Sequence, residues 1–193
     1  MAKIGFLLLS GGKSTRMGTH KALLEVNGRT LLDTVADAGK EFDVRILSVN
    51  DPSIPAPEGY ARCADVYPDC GPMAGIHAAL CKTDCDALVT APCDAPYYSA
   101  ELARYLKEQY DPQLDALVLV DDEGRSQPLI GVYSRSCIAV LDEHLRTGKL
   151  KMMWMLESMK LRKTELPAHL KNDVFRNLNT PDDARAFRER HQA

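Results

Sequence analysis

Near its N-terminus the chain carries Ile4-Gly5-Phe6-Leu7-Leu8-Leu9, an unbroken apolar run that stops abruptly at Ser10-Gly11-Gly12. The run has the length and composition of a buried strand. Val44–Val49 and Asp86–Ala91 read the same way, and Tyr60–Ala64 reads as a short extended piece. Helical stretches lie between them. One runs from Thr30 to Lys40 after a turn at Asn27-Gly28. Another opens at Gly71-Pro72 and carries the stripe Met73, Ile76 and Leu80, and a third is capped by Ser99 and carries Leu102 and Leu106. Strands alternating with helices mean βαβ units and a largely parallel sheet.

The second half changes style. Leu117–Val120 and Leu129–Tyr133 flank Asp121-Asp122-Glu123-Gly124, which predicts a hairpin and so an antiparallel element. A helix with Ile138, Leu141 and Leu145 should stop at Gly148. A second, over about 150–159, carries Met152, Leu156 and Met159 beside Trp154; such a methionine stripe reads as core or as an adaptable pocket lining. Val174-Phe175-Arg176 reads as a short strand, and Thr180-Pro181-Asp182-Asp183 as a helix start. No repeat, low-complexity segment or linker interrupts the sequence, and 193 residues read as one domain.

The glycines after the first strand invite comparison with phosphate-binding motifs. A P-loop needs a glycine five positions before the one preceding Lys-Ser. Here that position is Leu7, inside the strand, and Gly11-Gly12-x5-Gly18 does not fit G-x-G-x-x-G either. What remains is a flexible loop with Lys13, Arg16 and Lys21. Its glycines let backbone N–H groups approach a phosphate, Arg16 can grip one bidentately and Lys21 can act as a point charge. The bland alternative is a surface turn with solvated charges.

In an open α/β sheet, ligands bind beyond the carboxyl ends of the strands. The 10–21 loop, Asn50, Asp65 and Asp94 all fall there. Asp94 sits between Pro92 and Pro96 and is a hard oxygen ligand suited to Mg²⁺ on substrate phosphates, or else a turn aspartate. Asp65 and Asp69 each suit a turn. Asn177 and Asn179 flank Leu178, so in an extended segment both face one way; capping of the next helix is their other reading. The five histidines form no ligand or catalytic spacing.

Composition narrows the partners. Hydrophobic content of 45%, charged content of 26% and a net charge of −3 are those of a globular protein with no electrostatic case for nucleic acid or a membrane surface. The N-terminal apolar stretch is too short to span a bilayer and lacks a signal-peptide pattern. Six cysteines include no C-x-x-C pair, and Cys81 and Cys85 are expected to share a helix face as buried free thiols. A reducing cytoplasm is the expectation.

Four segments, "LSGGKSTRMGTHKALLEVNG", "GPMAGIHAAL", "TAPCDAPY" and "FRNLNTPDDA", occur in that order over nearly the whole chain. Together they resemble the molybdenum cofactor guanylyltransferases, of the glycosyltransferase-A-like nucleotidyltransferase superfamily. The resemblance implies an α/β, single-domain, Rossmann-like nucleotidyltransferase with a mostly parallel, partly mixed sheet flanked by helices. The N-terminal part would bind nucleotide and the C-terminal part the acceptor. It implies GTP at Leu9, Ser10, Gly11, Gly12, Lys21, Asn50, Asp65 and Asp94, with Mg²⁺ on Asp94. Arg16, Lys21 and Asp94 would serve catalysis, and Asn177 and Asn179 would lie near the metal or the acceptor. Two departures stand out: Ser10 replaces a commoner alanine, and His20 precedes Lys21 where an acid is usual.

The reaction so implied moves GMP from GTP to the terminal phosphate of molybdopterin, forming molybdopterin guanine dinucleotide and pyrophosphate. Transient contact with molybdoenzyme maturation proteins is compatible with it. Guanine offers two donors and one acceptor, so its pocket needs protein acceptors, for which carbonyls near Leu9 and the side chains of Asn50 or Asp65 are placed. Asp65 holding the ribose is the other reading. Rival functions are a cytidylyltransferase, transfer to another phosphorylated acceptor, and a non-catalytic nucleotide or cofactor binder.

Overall fold

The computed structural model describes residues 2–10, 21–26, 28–171, 173–176 and 178, with Lys21 and Val26 as backbone only. In chain order the strands are β1 (Ile4–Leu9), β2 (Glu25–Val26), β3 (Arg29–Thr30), β4 (Arg45–Ser48), β5 (Ala61–Cys63), β6 (Ala87–Pro92), β7 (Ala116–Val120), β8 (Ser126–Ser134) and β9 (Leu161–Glu165). The α-helices are α1 (Leu31–Ala36), α2 (Pro72–Lys82), α3 (Ala100–Glu108), α4 (Ile138–Arg146) and α5 (Met152–Glu157).

Seven strands form one sheet in the order β5-β4-β1-β6-β8-β7-β9, while β2 and β3 pair as a separate ribbon. The first four are mutually parallel; β8 runs antiparallel to both β6 and β7, and β9 returns parallel to β7. The sheet is therefore mostly parallel and partly mixed, as expected, with the predicted hairpin as its antiparallel element. A bulge between Val118 and Leu119 bends that hairpin. Gly131 lies opposite, where an added Cβ would stand 2.2 Å from the Leu117 carbonyl oxygen.

Alternation along β1 builds two cores. Phe6 and Leu8 face a cluster with Leu32 and Val35 of α1 and Leu102 and Leu106 of α3. Leu7 and Leu9 face the other way, toward Met73, Ile76 and Leu80 of α2, Leu141 and Leu145 of α4, and Met155 and Leu156 of α5. The caps follow the sequence: Pro72 opens α2, and the Ser99 hydroxyl accepts the Leu102 amide at 3.1 Å.

Several expectations change. The helix foreseen over Thr30–Lys40 is α1 followed by a 3-10 turn, Asp37–Gly39. The Tyr60 hydroxyl donates to the Ala36 carbonyl at 2.7 Å, taking the acceptor the next α-helical amide would use, and Lys40 bonds Asp37 instead. Val174–Arg176 is a turn, because Asp173 has φ +52 and its carbonyl accepts the Arg176 amide at 2.8 Å. Cys81 and Cys85 do not share a helix face. Thr83 is extended and ends α2, leaving Cys81 exposed on the last turn and Cys85 buried beyond it. Strand β9 was not foreseen. The helix start at Thr180-Pro181 lies outside the described residues. Among the described residues, no helix is long and apolar enough to cross a membrane.

Candidate active site

The carboxyl tips of four parallel strands stand in register. Leu9 pairs with Ser48 on one side and Pro92 on the other, and Ser48 pairs with Cys63. The ladder continues past the strand ends. Ser10 donates its amide to Ser48, Val49 to Cys63 and Cys93 to Leu9, each at 3.0 Å. Ser10, Asn50, Asp65 and Asp94 follow one or two residues after these tips, so the structure lines them along one edge of the sheet. Gly75 of α2 permits the close packing beneath, since a Cβ there would meet the Ser48 hydroxyl at 2.3 Å.

Asn50 and Asp65, fifteen residues apart, are locked together. The Asn50 amide donates to Asp65 Oδ2 at 2.7 Å, and the Asp65 backbone N–H donates to Asn50 Oδ1 at 2.9 Å. Burial pushes the Asp65 carboxyl above its ordinary value, against the opposing pull of the Asn50 amide, the Ser48 hydroxyl and the Lys82 charge. Among the described residues its Oδ1 is buried without a hydrogen-bond partner, and so is the Ser10 hydroxyl oxygen. A buried acceptor left open costs stability unless a ligand donor fills it. The Leu9 carbonyl, foreseen as a base acceptor, already receives the Cys93 amide and keeps one lone pair.

Asp94 is half-buried in the loop from Pro92 to Pro96, which is stiffened by bonds from Ala95 to Pro92 and from Tyr98 to Ala95. Its carbonyl accepts the Leu178 amide at 2.9 Å. Leu178 itself is buried against Leu31, with Leu24 and Tyr97 beside it, so the C-terminal segment returns to the Asp94 loop. Gly11, Gly12, Arg16, Asn177 and Asn179 lie outside the described residues. Lys21 begins a 3-10 turn, Lys21–Leu23. Among the described residues no group of three or more metal-binding side chains forms. A lone strand-end carboxylate fits Mg²⁺, which commonly takes one or two carboxylates and completes its shell with phosphates and water.

Two features were not read from the sequence. The loop carrying Asp65 is tied to α4: the Tyr67 hydroxyl donates to Asp142 Oδ1 at 2.5 Å, and the Tyr67 ring meets His77 edge-on at 5.5 Å. Beyond β7 and β9 there is also a cleft of about 310 Å³ lined by Arg125, Gln127, Lys171 and Arg176 with Asp121 and Asp122. Asp121 accepts from the backbone of Glu123 and Arg125, from Arg125 Nε at 2.8 Å and from Gln127 at 3.0 Å. Burial opposes its charge, but these donors outweigh it and hold the carboxyl below its ordinary value. The sequence signal was the charged hairpin tip, read only as a turn; β7 runs parallel to β9, which brings that tip beside Lys171.

A mostly parallel sheet with polar groups in file at its carboxyl edge is the layout of a nucleotide-handling α/β enzyme. The chain belongs to the MobA-like NTP transferase domain family, whose model matches residues 6–162, and it is a nucleotidyltransferase. It is similar to a probable molybdenum cofactor guanylyltransferase of Pelotomaculum thermopropionicum, 37% identical over 92% of this chain and 88% of the relative. The molybdenum cofactor guanylyltransferase of Yersinia pseudotuberculosis is 30% identical over 96% and 95%. Among solved structures, molybdopterin-guanine dinucleotide biosynthesis protein A from Archaeoglobus fulgidus superposes with a TM-score of 0.81 at 26% identity, over 97% of this chain and 98% of that one.

Proposed function

We propose that this chain transfers GMP from GTP to the terminal phosphate of molybdopterin in the cytoplasm, releasing pyrophosphate. The observation that carries the site is the file of Ser10, Asn50, Asp65 and Asp94 at four registered strand tips, with Asp65 Oδ1 and the Ser10 hydroxyl buried and without a hydrogen-bond partner among the described residues. The Asp65 Oδ1 atom suits a donor from guanine or ribose, and Asn50 fixes the carboxylate that offers it. A Mg²⁺ ion on Asp94 and the nucleotide phosphates would supply charge neutralisation at the phosphate oxygens. Arg16 and Lys21 would add cationic donors, and the glycine-loop amides would orient the phosphates.

A phosphate nucleophile is already ionised near neutral pH, so no general base is needed. In-line attack on the α-phosphorus then requires alignment above all. Nucleotide would occupy the half of the edge built by β1, β4 and β5. Acceptor would approach the edge from the side of the Asp94 loop. Asn177 and Asn179 adjoin Leu178, whose amide is bonded to Asp94, and this supports a place for them near the acceptor phosphate. On this reading one domain serves both substrates.

Pyrophosphate release is the test, with GTP, CTP or ATP, each with and without molybdopterin and Mg²⁺. The expected result is release with GTP only, dependent on acceptor and cation. A preference for CTP would make the chain a cytidylyltransferase. Binding of GTP without release under every condition would make it a nucleotide binder.

A further inference from the structure

Four large hydrophobic side chains are exposed among the described residues, and three of them fall within five positions: Leu150 (39%), Met153 (39%) and Trp154 (48%). They lie on and just before α5. The helix is already anchored from its other side, where Met155 and Leu156 are buried in the core shared with α2 and α4. Trp154 is therefore not needed to hold α5 in place. Residues 146–163 carry six basic side chains and one acid, Glu157, in a chain whose net charge is −3. Arg146 and Arg162 pair with Asp142 and Asp111, but Lys149, Lys151 and Lys160 make no ion pair among the described residues. The Lys151 ammonium stands 4.4 Å from the Trp154 ring centroid.

We propose that this face docks an acidic partner protein, one whose contact segment sets glutamates or aspartates around a leucine or aromatic side chain. An aromatic centre with a charged rim is the layout of a binding hot spot: the Trp supplies the buried anchor and the lysines set approach and register. The Lys151 ammonium over the ring can meet a partner carboxylate while the ring is covered. A membrane surface fits less well. Interfacial helices sink a long apolar face into lipid, whereas α5 is six residues long and its apolar side is already in the core. A second copy fits less well, because a two-fold contact of this face with itself would set Lys149 and Lys151 against the same lysines of the other copy.

Trp154 is the chain's only tryptophan, so its fluorescence reports the face directly. The probe is a synthetic peptide alternating glutamate and leucine, with a lysine-leucine peptide as control. The acidic peptide should shift Trp154 emission to the blue and saturate, with affinity falling about tenfold or more at high salt as the rim charges are screened. With a labelled peptide and anisotropy, Trp154→Ala and the pair Lys149→Glu, Lys151→Glu should each weaken binding at least about tenfold, without a change in circular dichroism. No shift with the acidic peptide, or an equal shift with the basic one, overturns the proposal. So does a shift seen only with phosphatidylglycerol vesicles, which would make the face a lipid contact. Concentration-dependent self-association that Trp154→Ala abolishes would assign the face to a second copy and likewise overturn it.

Discussion

At Asp94 a carboxylate follows a buried strand by two residues, in a loop held at both ends by proline. Asp94→Ala should reduce cation-dependent pyrophosphate release by a hundredfold or more, roughly the scale of losing one preorganised charged group. Unfolding should shift by only about 1 kcal/mol, the central value for a point change. Near-normal turnover would remove the metal from this residue. Asp65 makes the opposite trade. Its folded carboxyl titrates above its unfolded value, so the native state is penalised for the charge. Below the unfolded value both states are protonated and the penalty is absent; it grows through the window up to the raised folded value and is complete above it. Asp65→Asn should therefore melt higher than wild type at neutral pH, with an advantage that fades on acidification through the carboxylate range, while GTP turnover falls. A lower neutral melting temperature would mean that the open oxygen is already satisfied. The position of Asp94 just past a buried strand could be read from the sequence because its signal is local, an apolar run broken by two prolines. The Asn50–Asp65 pair could not, since it exists only once β4 and β5 lie side by side.

The element that carries Asp65 is a loop fixed from outside. Tyr67 reaches Asp142 of α4, the Lys82 ammonium reaches the Ala64 carbonyl at 3.3 Å, and the Tyr67 and Arg146 bonds hold the Asp142 carboxyl below its ordinary value. Removing the Tyr67 hydroxyl should free the loop without touching a reacting group. Tyr67→Phe is expected to raise KM for GTP roughly three- to tenfold, the scale of one net hydrogen bond, with kcat within about twofold. Asp142→Asn keeps an acceptor for the tyrosine and should stay near wild type. Steady-state kinetics with GTP varied decides it, and a fall in kcat alone would place Tyr67 in the chemistry instead. No local pattern announces a contact seventy-five residues apart. Strand β9 escaped for a different reason: it is an edge strand with Arg162, Lys163 and Glu165 exposed, so it lacks the apolar alternation that marked the others. The apolar Val174-Phe175 misled in the other direction, because burial of Val174 is achieved in a turn.

Over the whole molecule, both cores hang on the same strands. Phe6 and Leu8 belong to one, Leu7 and Leu9 to the other, and β6 divides likewise between Val89 and Leu88. Neither layer of helices can leave without stripping one side of β1 and β6, so heat should unfold the sheet and both layers in one step. Calorimetric and van't Hoff enthalpies should agree, and two separate transitions would show that the faces are independent. This architecture was the part most open to reading, because buried parallel strands are written as continuous apolar runs and their order of alternation limits the topology. The bonds that carry the β1 ladder past its end have a further consequence. The amides of Ser10 and Cys93 lie at the strand tips proposed to receive substrate, yet each is spent on a neighbouring strand. They should exchange with deuterated solvent as slowly as the sheet interior, while amides of the Asp65 loop exchange early. Nucleotide would then land on a platform finished before it arrives, and only the surrounding walls would need to settle.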